Sequence, residues 1–68
     1  MLNRYLKIDG VRVDLKRLHK TQITFGLRSV NLWINEHPRF WFKTYKEASE
    51  VSDKIIAAAK EYQKEMIK

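Results

Sequence analysis

The hydrophobic period of this chain changes once, at Phe42-Lys43-Thr44, and that switch restricts the fold more than any other feature. Before it, apolar residues recur at every second position in short runs, Leu6 to Ile8, Val11 through Leu15, Ile23 through Leu27, Val30 through Ile34, and Phe40 to Phe42. A period of two places alternate side chains on one face of an extended strand. After it, Ala48, Val51, Ile55, Ala58, Ala59, Tyr62 and Met66 recur at helical spacing and form one apolar stripe. The expected fold is therefore α+β: a four- to five-stranded antiparallel β-meander with one long C-terminal amphipathic helix packed on one face.

Local signals set the turns. Asp9-Gly10 is the dipeptide best suited to a two-residue hairpin turn, since both central positions need positive φ. It sets Ile8 opposite Val11, Leu6 opposite Val13 and Lys7 opposite Arg12, between strands Arg4 to Ile8 and Val11 to Leu15. The period then slips, and a bulge or one helical turn is expected around Asp14 to His19. A tight connection at Arg28-Ser29 pairs Leu27 with Val30, Phe25 with Leu32 and Ile23 with Ile34, turning all six inward. The next loop must contain an odd number of residues to keep Phe40 and Phe42 on the face of Leu32 and Ile34. Pro38 disfavours three, so five are expected, Asn35 to Arg39, with Trp33 opposite Trp41 and Asn31 opposite Lys43.

Thr44-Tyr45-Lys46-Glu47 is a capping box that opens the helix. The helix runs to about Ile67, roughly 33 Å against strands of about 20 Å, so its last turns should overhang the sheet. Ile56 and Ile67 give the overhang a second apolar edge, read as a frayed terminus or as a dimer or partner contact.

Sixty-eight residues allow one small core, so a single domain over residues 1–68 is expected, a basic sheet region at 1–43 and the helix at 44–68, with dimerisation as a further source of stability. Cysteine is absent, which removes disulfides and thiolate metal sites. The N-terminus carries no apolar leader segment and no stretch is long enough to span a bilayer, so a complete, cytoplasmic protein with no membrane association is expected.

Up to Lys43 there are nine Lys and Arg against three acids, whereas from Thr44 onward five Lys balance five acids. The whole surplus of +6 thus lies in the sheet region, together with both tryptophans. Such a surplus favours anionic partners; the alternative is a solvated, solubility-promoting surface.

Little points to catalysis. His19 and His37 fall in expected turns, with no ligand at metal-binding spacing, and no Gly-rich phosphate loop, nucleophile elbow or HExxH is present. No enzyme, metal or cofactor is expected. The outward sheet face is richer: Gln22, Thr24, Gly26, Asn31, Trp33, Asn35, Arg39, Trp41 and Lys43, with Arg28 at a turn. Cations neutralise phosphates, amides and arginine read base edges, and indoles stack on unpaired bases. Arg12, Lys16, Arg17, Lys20, Arg28, Trp33, Arg39, Trp41 and Lys43 are the candidate binding residues. The competing reading has the two indoles packed together, or covered by the N-terminal hairpin or a second subunit.

Three strands followed by a capped helix over Thr21 to Tyr62, with Phe42-Lys43-Thr44-Tyr45-Lys46-Glu47-Ala48 at the junction, resemble the AP2-like and integrase arm-type DNA-binding domains. That resemblance implies a sheet entering the major groove, with Arg28, Arg39, Lys43, Trp33 and Trp41 as contacts; the N-terminal hairpin is extra. Over Leu6 to Met66, Ile8-Asp9-Gly10, then Ser29-Val30-Asn31-Leu32, a short turn, an apolar strand and a long helix resemble the FlbD-type small flagellar-operon proteins and similar short bacterial or phage proteins. This second resemblance implies a four-strand meander plus helix and a protein-interaction role. The denser aromatic and basic content departs from it.

The leading functional expectation is non-catalytic nucleic-acid binding, DNA favoured. The runner-up is a small adaptor or inhibitor, of the kind phages encode, that docks on an acidic protein partner through the same tryptophans or the helix overhang.

Overall fold

Asp9 and Gly10 take positive φ, 49° and 79°, and close the first turn as the dipeptide demands. In this computed structural model, which describes residues 3–66, β1 (Tyr5–Ile8) and β2 (Val11–Asp14) pair in the expected register, Ile8 with Val11 and Leu6 with Val13. The Leu15 amide adds a bond to the Arg4 carbonyl at 2.8 Å. Where the period slips, the chain turns. Asp14 directs this turn, its carbonyl accepting from the Arg17 amide at 3.3 Å and its Oδ1 from the Lys16 amide at 3.1 Å. The turn ends the ladder, so the five strands form two sheets, β1-β2 and a three-stranded β3-β4-β5, rather than one continuous meander.

In the second sheet, β3 (Thr21–Phe25), β4 (Val30–Ile34) and β5 (His37–Phe42) are antiparallel, but both registers differ from expectation. Phe25 pairs with Val30 and Ile23 with Leu32, a shift of two residues that leaves a four-residue loop at Gly26 to Ser29 instead of a two-residue one. The Gly26 amide closes it on the Ser29 carbonyl at 2.8 Å. A shift of two keeps every side chain on its face. It nonetheless carries Phe25 and Leu27 past the end of the core, where Leu27 is fully exposed and Phe25 is 71% exposed.

At the next turn Asn35 and Glu36 take φ of 51° and 71°, so a two-residue turn joins Ile34 to His37. The odd residue demanded by the apolar pattern is supplied as a bulge: Trp33 pairs with Pro38, Leu32 with Phe40, and Arg39 is the extra residue between them. Trp33 therefore faces Pro38 rather than Trp41. Trp41 sits across from Asn31, the place expected for Lys43. Pro38 is tolerated because β5 is an edge strand.

Helix α1 (Tyr45–Met66) begins at Thr44, whose Oγ1 accepts from the Glu47 amide at 3.2 Å and donates to the Glu47 carboxylate at 3.1 Å. Glu47 thus completes the box through the cap's hydroxyl rather than its backbone amide. The buried face is Ala48, Ser52, Ile55, Ala59 and Tyr62, with Val51 and Ala58 half-buried and Met66 exposed. Ser52 lies in that stripe because its hydroxyl pairs with Thr21 Oγ1 at 2.9 Å.

One apolar cluster joins all the layers: Val13 and Leu15 from the hairpin, Leu32, Ile34 and Phe40 from the sheet, Ile55, Ala59 and Tyr62 from the helix. Leu32 and Ile55 are fully buried at its centre. The split sheet also alters the expected helix overhang. The hairpin lies against the C-terminal half of α1, where Leu6 and Leu15 border a hollow shared with Ala58 and Tyr62. Ile56 is half-buried in a separate hollow bordered by Leu18 and Thr21, and Ile67 lies outside the described residues.

Candidate functional site

The nine candidate residues form two groups and a remainder. Arg12, Arg17 and Arg39 line one concavity; Trp33 and Trp41 stay on the outer face of the three-stranded sheet; Lys16, Lys20, Arg28 and Lys43 are exposed outside both groups, Lys16 and Lys20 beside hollows bordered by α1.

The arginines meet because two irregularities aim them. The Asp14 turn brings Arg17 back beside β2, and the β5 bulge rotates Arg39 off the tryptophan face. Arg39 was expected beside Trp41; the bulge instead sets it with Ile34 and His37, on the side facing the hairpin. Its Nη2 donates to the Arg12 carbonyl at 3.3 Å. Arg12, Arg17, Arg39 and His37 thereby surround a concavity of about 260 Å³ with Asp14 in its wall.

Asp14 is held chiefly by Arg4 and only at longer range by Arg17. Arg4 Nε and Nη2 donate to its two carboxylate oxygens at 2.9 and 2.8 Å, whereas Arg17 Nε is 3.9 Å away. The Arg4 hydrogen bonds hold the Asp14 carboxyl below the usual aspartate range, and the same pair pushes the Arg4 guanidinium up. Arg12 is steadied by a ring, its guanidinium carbon lying 5.2 Å from the Tyr5 centroid; Arg4 lies at the same distance from that ring. This contact offsets the like-charge pair Lys7 and Arg12 directly across the hairpin.

Asn35 carries the third part of the architecture. Its Oδ1 accepts from the amides of His19 at 2.8 Å and Lys20 at 3.3 Å, and its Nδ2 donates to the Arg17 carbonyl at 2.7 Å. Its own amide donates to the Lys20 carbonyl at 3.1 Å. The basic segment Arg17 to Lys20 is thus tied to the β4-β5 turn, with Lys20 Nζ 3.4 Å from Glu36. Sequence reasoning put Asn35 on a sheet face and in a loop and missed this clamp. The one available signal was asparagine's tolerance of positive φ between two strands.

On the outer face, Gln22, Trp33 and Pro38 form one row, and Thr24, Asn31 and Trp41 the next. The Trp33 indole donates to Thr24 Oγ1 at 2.7 Å and is half-buried. Trp41 is 74% exposed. At that end of the sheet Phe25 stacks on Tyr45, centroids 5.9 Å apart, beside exposed Leu27.

Among the described residues no three His, Asp or Glu gather as metal ligands, and no helix is long and apolar enough to cross a membrane. Comparison with protein-family models, curated proteins and solved structures gives no match. The arrangement sets Arg12, Arg17 and Arg39, from three chain positions, along one concavity whose acid, Asp14, is paired with Arg4, with an exposed indole on the adjoining edge strand.

Proposed function

We propose that this protein binds nucleic acid in the cytoplasm without catalysing a reaction on it. The observation that carries this reading is the convergence of Arg12, Arg17 and Arg39 on one concavity. Three arginines along one concavity form a positive surface on which a bound phosphate can accept charge-assisted hydrogen bonds. Arg12, Arg17 and Arg39 are the phosphate contacts; Lys16, Lys20, Arg28 and Lys43 extend the positive field; Trp41, with Trp33 beside it, offers the stacking surface.

The test is fluorescence anisotropy with labelled DNA and RNA probes, begun at low salt. Binding should weaken log-linearly as salt rises. No binding of any probe at low salt would remove the proposal.

One observation favours a second reading, an adaptor for an acidic protein partner. Phe25, Leu27 and Tyr45 form an exposed apolar end, and the neighbouring chain positions carry Arg28, Lys43 and Lys46. A like-charged rim disfavours a second copy of this chain there and suits an acidic surface. Leu27→Ser would then abolish partner binding while leaving nucleic-acid affinity unchanged.

A further inference from the structure

We infer that the ligand is a single strand, which crosses the free edge of β5 with a phosphate in the arginine concavity and a base stacked on Trp41. This rests on the nucleic-acid reading above. Its basis is the way β5 divides its side chains. His37 and Arg39 turn toward the hairpin side, whereas Trp41, two residues or about 6.5 Å further along, turns to the outer face. The strand is the last of its sheet, and His37, Pro38, Arg39 and Trp41 are all exposed.

A ligand touching both the cations and the indole must therefore pass round the edge of one strand. Duplex DNA is too stiff for that path: its persistence length is about 50 nm, and the whole protein measures 44 × 19 × 17 Å. Nor does the outer face suit a duplex lying flat. Within the strands it presents Gln22, Thr24, Asn31, Trp33 and Trp41, with no cation among them to neutralise two phosphate backbones. An exposed indole also meets no free base face in a paired helix, while every unpaired base offers one. The β5 edge further presents backbone donors and acceptors that no neighbouring strand takes up in a ladder.

The experiment compares oligothymidylate with a duplex of equal length, using anisotropy for affinity and tryptophan emission for contact. In Trp33→Phe, Trp41 is the sole indole; wild type read against Trp41→Phe gives the same difference without disturbing Trp33. The single strand should bind at least tenfold tighter than the duplex and quench Trp41. Trp41→Ala should weaken it by roughly 5- to 150-fold. Arg39→Gln should weaken it too and flatten its salt dependence. Equal or tighter duplex binding, an unquenched Trp41, or an inert Arg39→Gln would overturn the edge-crossing strand while leaving the nucleic-acid reading standing. Binding of neither probe would overturn both.

Discussion

Replacing Asn35 tests how the arginine-lined concavity is held in shape. Its side chain makes three hydrogen bonds to the Arg17 to Lys20 backbone, from a residue at φ 51°. These bonds are solvent-accessible, so each contributes about 0.5 kcal/mol, the low end of the usual range, or about 1.5 kcal/mol together. Alanine additionally suffers about 1 kcal/mol for the left-handed conformation, which glycine does not. Asn35→Ala should therefore cost about 2.5 kcal/mol and Asn35→Gly about 1.5. Asn35→Asp keeps the acceptor and loses only the bond to the Arg17 carbonyl, so about 0.5 to 1 kcal/mol is expected. Equilibrium urea unfolding resolves this series: with a slope of about 1 kcal/mol per molar for a chain this small, the alanine midpoint falls by about 2.5 M. Equal losses for alanine and glycine would refute the backbone part of the argument. An alanine midpoint within 0.5 M of wild type would refute the clamp itself.

Three other outcomes follow from specific contacts. Asp14 is held below its ordinary pKa of about 3.9 by the Arg4 hydrogen bonds, so its stabilising contribution is complete above that value and disappears as pH falls through the lower folded one. The stability difference between wild type and Asp14→Asn should shrink below about pH 4 in urea titrations; a constant difference from pH 2 to 6 would mean the ion pair is not its source. Thr21 and Ser52 share one partly buried bond, so Ser52→Ala should cost about 1 kcal/mol and the Thr21→Val/Ser52→Ala double variant less than the sum of the singles, as a double-mutant cycle reads directly. Leu27→Ser should change stability by less than about 0.5 kcal/mol, whereas Leu32→Ala should cost about 2 to 5, because one leucine is fully exposed and the other fully buried. Comparable losses at the two positions would contradict the four-residue loop.

The sequence was legible where a local rule had one solution. Asp9-Gly10 determined the first hairpin and its register, and Thr44-Tyr45-Lys46-Glu47 marked the helix start. Parity was read correctly between β4 and β5, since an odd residue is indeed present, but the form it takes was not. Asparagine alone hinted at the Asn35-Glu36 turn, since glutamate at positive φ is not a composition signal, and the apolar parity is equally met by a longer loop. That one difference moved Arg39 to the other face and separated it from Trp41. The β3-β4 register failed for a related reason, since two registers differing by two residues present the same faces and only the loop's own hydrogen bond distinguishes them. Ser52 was passed over because a serine in an apolar stripe is explained only by its partner across the core, Thr21. For the site, the residue types were readable from charge and aromatic content. Their grouping depended on the local Asp14 turn, whose place the slipped period marked, and on the β5 bulge, which it did not mark.

The central claim is that three arginines brought together by the fold hold phosphate. Its most direct measurement is the salt dependence of single-strand binding for wild type and for Arg12→Gln/Arg17→Gln/Arg39→Gln, with Lys54→Gln on the exposed back of α1 as control. Each phosphate contact to a single strand contributes about 0.7 to the slope of log affinity against log salt, so the triple variant should lose about 2 from that slope while the control keeps it. A triple variant that folds and binds with the wild-type slope would show that the concavity is not the phosphate site.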